Sequence, residues 1–337
     1  MGWLALDIGG ANIKVADGRG YAQSYGFAMW TQSARLSQQL RTVIYEAPPA
    51  DHLAVTMTGE LADCFESKAA GVKFILEALN AASDNRHTRI YLVDGKLVAP
   101  SVALNHPHLA AASNWHALAS FAGRFATAGP ALMIDVGSTT CDVIPLVDGK
   151  PVATGTTDTQ RLLAGELLYT GVERSPLCAV VSLVPYRGKS CPVVQELFAT
   201  MRDSYLILEK VPEDTTSTNT ADGKPASRAA ARARLGRMIA ADDQEFNHKD
   251  ALAIAKSAAD AQISRLAGAI QQVIQALPLP PSLVIVSGQG EFLAREALDF
   301  LTLNCPVISL GQHLGGSISR CAPAHALAVL ACELTGR

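Results

Sequence analysis

Hydrophobic positions alternate along the chain between short unbroken runs and helical spacing, a pattern that predicts an α/β fold. Residues 3–8 form a compact apolar strand, and after a glycine turn residues 13–16 alternate as a second. A helix is expected over 33–47, stopped by Pro48 and Pro49, then a strand over 53–57. Residues 63–82 place Phe65, Val72, Ile75, Leu76 and Leu79 at helical spacing. A strand over 90–93 turns through Asp94-Gly95 into 96–98, and an alanine-rich helix over 110–126 ends at Gly129-Pro130.

The order then begins again. Strands over 132–136 and 141–147 lead through Asp148-Gly149 into 151–154, and helices are expected over 193–204, 226–241 and 249–276. Residues 212–225 are polar and turn-rich and read as an exposed loop. A strand over 283–286, the turn Gly288-Gln289-Gly290, a helix over 291–301, a strand over 307–310 and a helix over 318–334 complete the series.

One repeat organises these elements. Asp7-Ile8-Gly9-Gly10-Ala11-Asn12-Ile13-Lys14 and Asp135-Val136-Gly137-Ser138-Thr139-Thr140-Cys141-Asp142 each join two strands through a turn of small and polar residues. The pair predicts a duplicated domain, residues 1–130 and 131–317, with both hairpin turns facing a central cleft. The C-terminal helix, 318–337, is expected to pack back on the first unit. A chain of 337 residues suits two domains.

Charge and composition narrow the function. A formal net charge of −3 leaves no basic excess to neutralise a phosphate backbone, which excludes nucleic-acid binding. Although 49% of residues are hydrophobic, no run reaches the roughly 18 apolar residues of a membrane span. No basic leader precedes Asp7, so no signal peptide is expected and the protein reads as soluble and cytoplasmic. The 7 cysteines are odd in number and never form CxxC, which argues against a disulfide framework or metal finger.

The glycine-rich turns carry the chemistry. Without Cβ atoms at Gly9, Gly10 and Gly137, main-chain N–H groups can converge on an anionic oxygen, with Asn12, Ser138, Thr139 and Thr140 as neutral donors and Lys14 as a cation. Aspartates beside such anion sites call for a divalent ion between them. Asp7 and Asp135 are therefore expected to hold one hydrated Mg²⁺ over a diphosphate, the alternative being turn-capping carboxylates. Gly288, Gln289 and Gly290 form a third bare turn at a helix start. Leu293 occupies the place of the last glycine of a dinucleotide-binding fingerprint, and no P-loop pattern occurs.

Strand–turn–strand with Asp-x-Gly-Gly, a second Asp-x-Gly-Ser and a late Ser-Gly-x-Gly resembles the actin, sugar-kinase and Hsp70 superfamily. The resemblance implies an actin-like, ribonuclease H-like duplicated fold, two phosphate loops and a third loop at a nucleoside. Ala11 departs from it, since sugar kinases commonly carry a hydroxyl residue there. The stretches 57–63, 113–117, 165–172, 198–200 and 220–223, with Asp203 and Tyr205, resemble the hydantoinase/oxoprolinase-like family linked to tetrahydromethanopterin-dependent one-carbon metabolism. That resemblance implies methanofuran or methylofuran synthesis: a furan-methyl diphosphate would join the phenol oxygen of a glutamyl-tyramine or tyrosine-type acceptor, releasing pyrophosphate. A phenol of pKa near 10 needs a base at neutral pH, and Glu60, Asp142 and Glu166 are candidates left unranked. Arg161, beside Glu166, is assigned to substrate, with a structural ion pair as the alternative.

Several residues are open to two readings. Glu60 and Asp63 can cap a helix as well as act on substrate. His106 and His108 lack a third metal ligand of obvious spacing. His116 beside Trp115 reads as packing. Arg228, Arg232, Arg234 and Arg237 read as a solvated face, or else as contacts to a glutamate tail or diphosphate. Asp242-Asp243 can cap a helix or join a second cation site. The competing functions are an ATP-dependent kinase or amidohydrolase of the same superfamily, and a nucleotide-sensing scaffold. The sequence leaves room for a homo-oligomer.

Overall fold

The computed structural model describes residues 2–336; residues 1 and 337, the start of the first expected unit and the end of the expected C-terminal helix, lie outside the described residues. The first sheet is assembled from β1 (Trp3–Ile8), β2 (Asn12–Ala16), β3 (Ala22–Gly26), β4 (His52–Met57), β5 (His87–Tyr91) and β6 (Leu97–Val98). The second is assembled from β7 (Pro130–Val136), β8 (Cys141–Val147), β9 (Lys150–Pro151) and β10 (Leu167–Leu168). After a separate hairpin, β11 (Leu183–Tyr186) with β12 (Lys189–Pro192), it is completed by β13 (Val284–Ser287) and β14 (Val307–Ser309).

The two sheets share one topology. The first runs β3-β2-β1-β4-β5-β6, with β1 antiparallel to β2 and parallel to β4. The second runs β10-β8-β7-β13-β14, with β7 antiparallel to β8 and parallel to β13. Three meandering strands followed by parallel strands, twice over, is the duplicated ribonuclease H-like, actin-like arrangement.

Strand periodicity assigns each face. Leu132, Ile134 and Val136 meet the helices His248–Ala276 and Glu291–Phe300, while Ala131 and Met133 meet Trp115, Leu118 and Ala326. In the first sheet Leu4, Leu6 and Ile8 pack with Leu40 and Val43 of Leu36–Glu46 and with Val72 and Ile75 of Lys68–Ala82. Its other face, at Trp3, Ala5, Ala54 and Tyr91, is covered by Leu327, Ala328 and Ala331 of the helix Ala322–Thr335. Sheets covered on both sides explain why the strands read as unbroken apolar runs.

Some predicted elements are replaced. The helix expected over 193–204 is displaced: β12 ends at Pro192, and the helix begins only at Met201 and runs to Ile207, started by a capping box of Thr200 and Asp203. The helix over 318–334 is broken into Gly316–Arg320 and Ala322–Thr335, because Pro323 has no N–H to continue a turn and starts a new helix instead. The strand 22–26 and the helices Pro100–Asn105 and Asp158–Ala164 were not expected. All 7 cysteines are free.

Candidate active site

The hairpins β1–β2 and β7–β8 bring the same turn to the same cleft. The Gly9 N–H donates to the Asn12 carbonyl at 2.9 Å, and the Gly137 N–H to the Thr140 carbonyl at 2.9 Å. Behind the turns, register sets Asp7 across from Lys14 and Asp135 across from Asp142. On the other flank Thr56 stands beside Asp7, and Ser287 beside Asp135. The second turn is buttressed by 165–174. The Glu173 and Arg174 amides both donate to the Ser138 carbonyl, and a Cβ on Gly171 would lie 2.5 Å from the Ser138–Thr139 peptide.

Between the two sheets lies a cavity of 310 Å³. Asp7, Gly9, Gly10, Asn12, Lys14 and Glu60 line it from the first sheet's side; Asp135, Gly137, Ser138, Thr139, Thr140, Asp142 and Arg161 line it from the second's. A smaller cavity of 200 Å³ adjoins it, sharing Asn12, Lys14, Asp135, Gly137 and Ser138 and adding Gly288 and Gln289. Gly290 and Glu166 stand outside both. The Gly290 N–H donates to the Val136 carbonyl at 3.0 Å. The Glu166 carboxylate accepts the Thr154 and Gly155 amides at 2.5 and 3.1 Å, which fixes the strand end behind the cleft and leaves it little capacity as a base.

The cleft carboxylates differ in partners. Burial pushes the Asp7 pKa up against the opposing pull of Lys14, and its Oδ1 has no hydrogen-bond partner. Burial and then the neighbouring Asp142 charge raise Asp135 to about 6, and its Oδ1 is likewise unpartnered. Asp142 is also raised by burial, offset by Arg161, whose Nη2 lies 2.6 Å from its Oδ1. The Arg161 guanidinium stacks over Trp115 at 4.2 Å and donates to the Glu166 carbonyl, but its ion pair is with Asp142 and not with the Glu166 carboxylate, the partner its alternative reading named.

Glu60 sits in the single turn Gly59–Leu61 that follows β4. The helix Lys68–Ala82 presses directly on this turn at Gly71, where a Cβ would fall 2.4 Å from the Glu60 carbonyl oxygen. Glu60 is 1% exposed and neither carboxylate oxygen has a side-chain hydrogen-bond partner. Burial carries its pKa to about 8, with the Asp158 charge adding and the Glu60 and Ala112 backbone amides and Lys68 opposing. Lys68 and Asp158, 2.5 Å apart, close one end of the cleft.

Among the described residues no group of three His, Cys, Asp or Glu side chains stands at metal-ligand spacing. A cation that takes two carboxylate oxygens and completes its shell with water and phosphate still fits the unpartnered oxygens of Asp7 and Asp135. His106 and His108 face each other edge-on at 6.2 Å. His116 accepts or donates at the Tyr91 hydroxyl through Nδ1 at 2.9 Å, and burial lowers its pKa to about 4, consistent with a packing role.

The arginine row does not reach the cleft. Arg234 is fully buried, 2.6 Å from Asp203 and 3.0 Å from Asp222, while Arg228, Arg232 and Arg237 pair with Glu209, Asp243 and Asp222. The solvated-face reading therefore fails at Arg234, which fastens the 212–225 loop to the helix Met201–Ile207. Sequence reasoning missed Trp30, Asn114, Trp115, Asp158, Tyr169 and Arg174 as cleft residues. Trp115 and Tyr169 lie in the stretches that carry the family resemblance; Trp30 and Arg174 gave no sequence signal.

Comparisons with known proteins agree on the family. Over 97% of its length the chain is 30% identical to a protein of Methanocaldococcus jannaschii named (4-{4-[2-(gamma-L-glutamylamino)ethyl]phenoxymethyl}furan-2-yl)methanamine synthase, 96% of which is covered. A protein of the same name from Methanococcus vannielii is 30% identical over 59% of the chain and 89% of its own length. Similar solved structures include the inorganic polyphosphate/ATP-glucomannokinase of an Arthrobacter strain (13% identity, TM-score 0.46, 98% of this chain and 99% of that one). Another is the ethanolamine utilization protein EutJ of Carboxydothermus hydrogenoformans (13% identity, TM-score 0.47, 97% and 89%). With residues 51–333 matching the Hydantoinase/oxoprolinase description, the chain belongs to that family.

Proposed function

We propose that the protein is a biosynthetic transferase that joins a furan-methyl diphosphate to the phenol oxygen of an aryl acceptor and releases pyrophosphate. The name of the relatives describes a product with a phenoxymethyl-furan ether, the bond such a transfer makes. The observation that carries the reading is the buried carboxylate of Glu60, which no side chain pairs, in the same cleft as the two mirrored turns.

In this reading the turns at Gly9–Asn12 and Gly137–Thr140 hold the diphosphate through main-chain N–H groups and hydroxyls, with Lys14 beside them. Asp7 and Asp135 would hold Mg²⁺, which neutralises charge gathering on the departing pyrophosphate. Glu60 takes the phenolic proton as the phenol oxygen forms its bond to the furan CH₂; the C–O bond to diphosphate breaks and its electron pair leaves with pyrophosphate. The furan ring stabilises positive charge at that carbon. Glu60 is preferred as the base because Asp142 is engaged by Arg161 and Glu166 by two amides. Asp142 and Arg161 then serve to position the second turn.

The test is to supply donor, acceptor and Mg²⁺ and to follow pyrophosphate and ether together. Equal amounts of both are expected. Steady ADP release from ATP without any furan substrate would instead favour the kinase or amidohydrolase reading, with nucleotide in the cavity beside Gly288 and Gln289.

A further inference from the structure

Arg174 stands at the mouth of the cleft with its guanidinium over the ring of Trp30, 4.8 Å from the centroid. The two residues come from opposite sides, Trp30 from the short helix Met29–Gln32 after β3 and Arg174 from the segment anchored to Ser138. Stacking uses the face of a guanidinium and leaves its N–H edge available for a planar anion. Among the described residues no carboxylate pairs with Arg174. The other arginines of the two adjoining cavities are committed: Arg161 to Asp142, Arg202 to Ser217 and the Asn219 carbonyl, Arg320 to Glu173 and Gln289.

The surroundings select the kind of ligand. Trp30, Leu61 and Tyr169 are 40%, 49% and 63% exposed, yet all line this cavity, so its rim is apolar and aromatic. Asp63 shares the exposed rim; deeper in, Asp7, Glu60, Asp135, Asp142 and Asp158 outnumber the cations and would repel a second anionic group. A carboxylate attached to an arene is therefore accommodated at the rim, with the ring against the exposed aromatics.

We infer that Arg174, stacked on Trp30, recognises a carboxylate on the tail of the aryl acceptor and so determines acceptor specificity. The inference rests on the transfer reaction proposed above and assigns the acceptor's outer end to the rim. Arg174 thus touches substrate away from the reacting atoms, and its effect belongs in acceptor KM.

Two phenolic acceptors test it, γ-glutamyl-tyramine and N-acetyltyramine, which differ in the carboxylate-bearing tail, each assayed with the furan-methyl diphosphate donor. Wild type is expected to prefer the carboxylated acceptor by roughly ten- to a hundredfold in kcat/KM, the scale of one charge-assisted contact. In Arg174→Ala the preference should fall toward unity, through KM; Arg174→Lys should retain part of it. Should the alanine variant fail to fold, Arg174→Gln, which keeps most of the stem over Trp30, carries the same comparison. An unchanged preference in these variants overturns the inference, as does an equal loss with both acceptors accompanied by weaker pyrophosphate uptake, which would make Arg174 a diphosphate ligand. Absence of ether from both acceptors in wild type overturns the transfer reaction itself.

Discussion

Asp135 and Asp142 stand directly across from each other on β7 and β8, in the register that sets Asp7 across from Lys14 in the first sheet. The second copy thus holds a like-charge pair where the first holds an opposite-charge pair, and side chains so placed share one face. Arg161, buried and 2.6 Å from Asp142, supplies the missing cation. Arg161→Met leaves Asp142 half-buried and unpaired, and a loss of about 2–4 kcal/mol, below that of a fully buried pair, is expected in urea unfolding. Adding Asp142→Asn should recover much of it; no recovery would show that Arg161 stabilises by stacking on Trp115 alone.

Glu60→Gln should lower the transfer rate by roughly 10²–10⁴, the usual contribution of a general base. The wild-type rate should rise with pH and level off above about 8, since the base works only when ionised. A rate independent of pH across this window argues for another base.

The same carboxyl gives stability the opposite slope. A group raised from 4.5 to about 8 on folding binds its proton more tightly in the native state. Its contribution is complete below the unfolded value and is lost as pH rises through the folded one. Between about pH 4.5 and 8 the wild type should therefore lose on the order of a few kcal/mol more stability than Glu60→Gln in thermal melts. Parallel curves would mean that Glu60 ionises freely.

Asp135→Asn should abolish turnover and Mg²⁺-dependent pyrophosphate uptake by calorimetry while leaving the protein folded. The lost carboxylate oxygen is unpartnered, so no internal bond disappears with it. Full uptake by this variant would remove Asp135 from the cation site.

Arg234→Met should destabilise by about 3–5 kcal/mol, since it strands Asp203 in the interior. It should also free the 212–225 loop at Asp222, read as faster cleavage there in limited proteolysis. Cleavage at the wild-type rate would place the loop's anchor elsewhere.

What could be read from the chain follows from which interactions are local. The Asp-x-Gly repeat carried the duplicated hairpins and their matching turns because each hairpin, residues 3–16 and 130–147, is one continuous stretch of chain. The central strands β1, β4, β7 and β13 were legible as apolar runs because both faces are buried, whereas the half-exposed edge strand β3 was not. Arg234 could not be read, since the carboxylates that bury it come from Asp203 and Asp222 on other elements. Trp30 and Arg174 meet only when the two sheets face each other. Glu166 sits two residues from Leu168 in a stretch shared with the family, yet its two amide partners, Thr154 and Gly155, turn an expected catalytic group into a brace.

The helix Ala322–Thr335 lies over the first sheet at Trp3, Ala5, Ala54 and Tyr91, although more than two hundred residues separate it from the last of those strands' sequence. During synthesis that face stays bare until residues 322–335 emerge, long after the rest of the first sheet has been made. The nascent chain must carry an uncovered tryptophan-bearing surface through most of translation, which makes this lobe the natural place for a chaperone to engage and the last part of the protein to become protease-resistant.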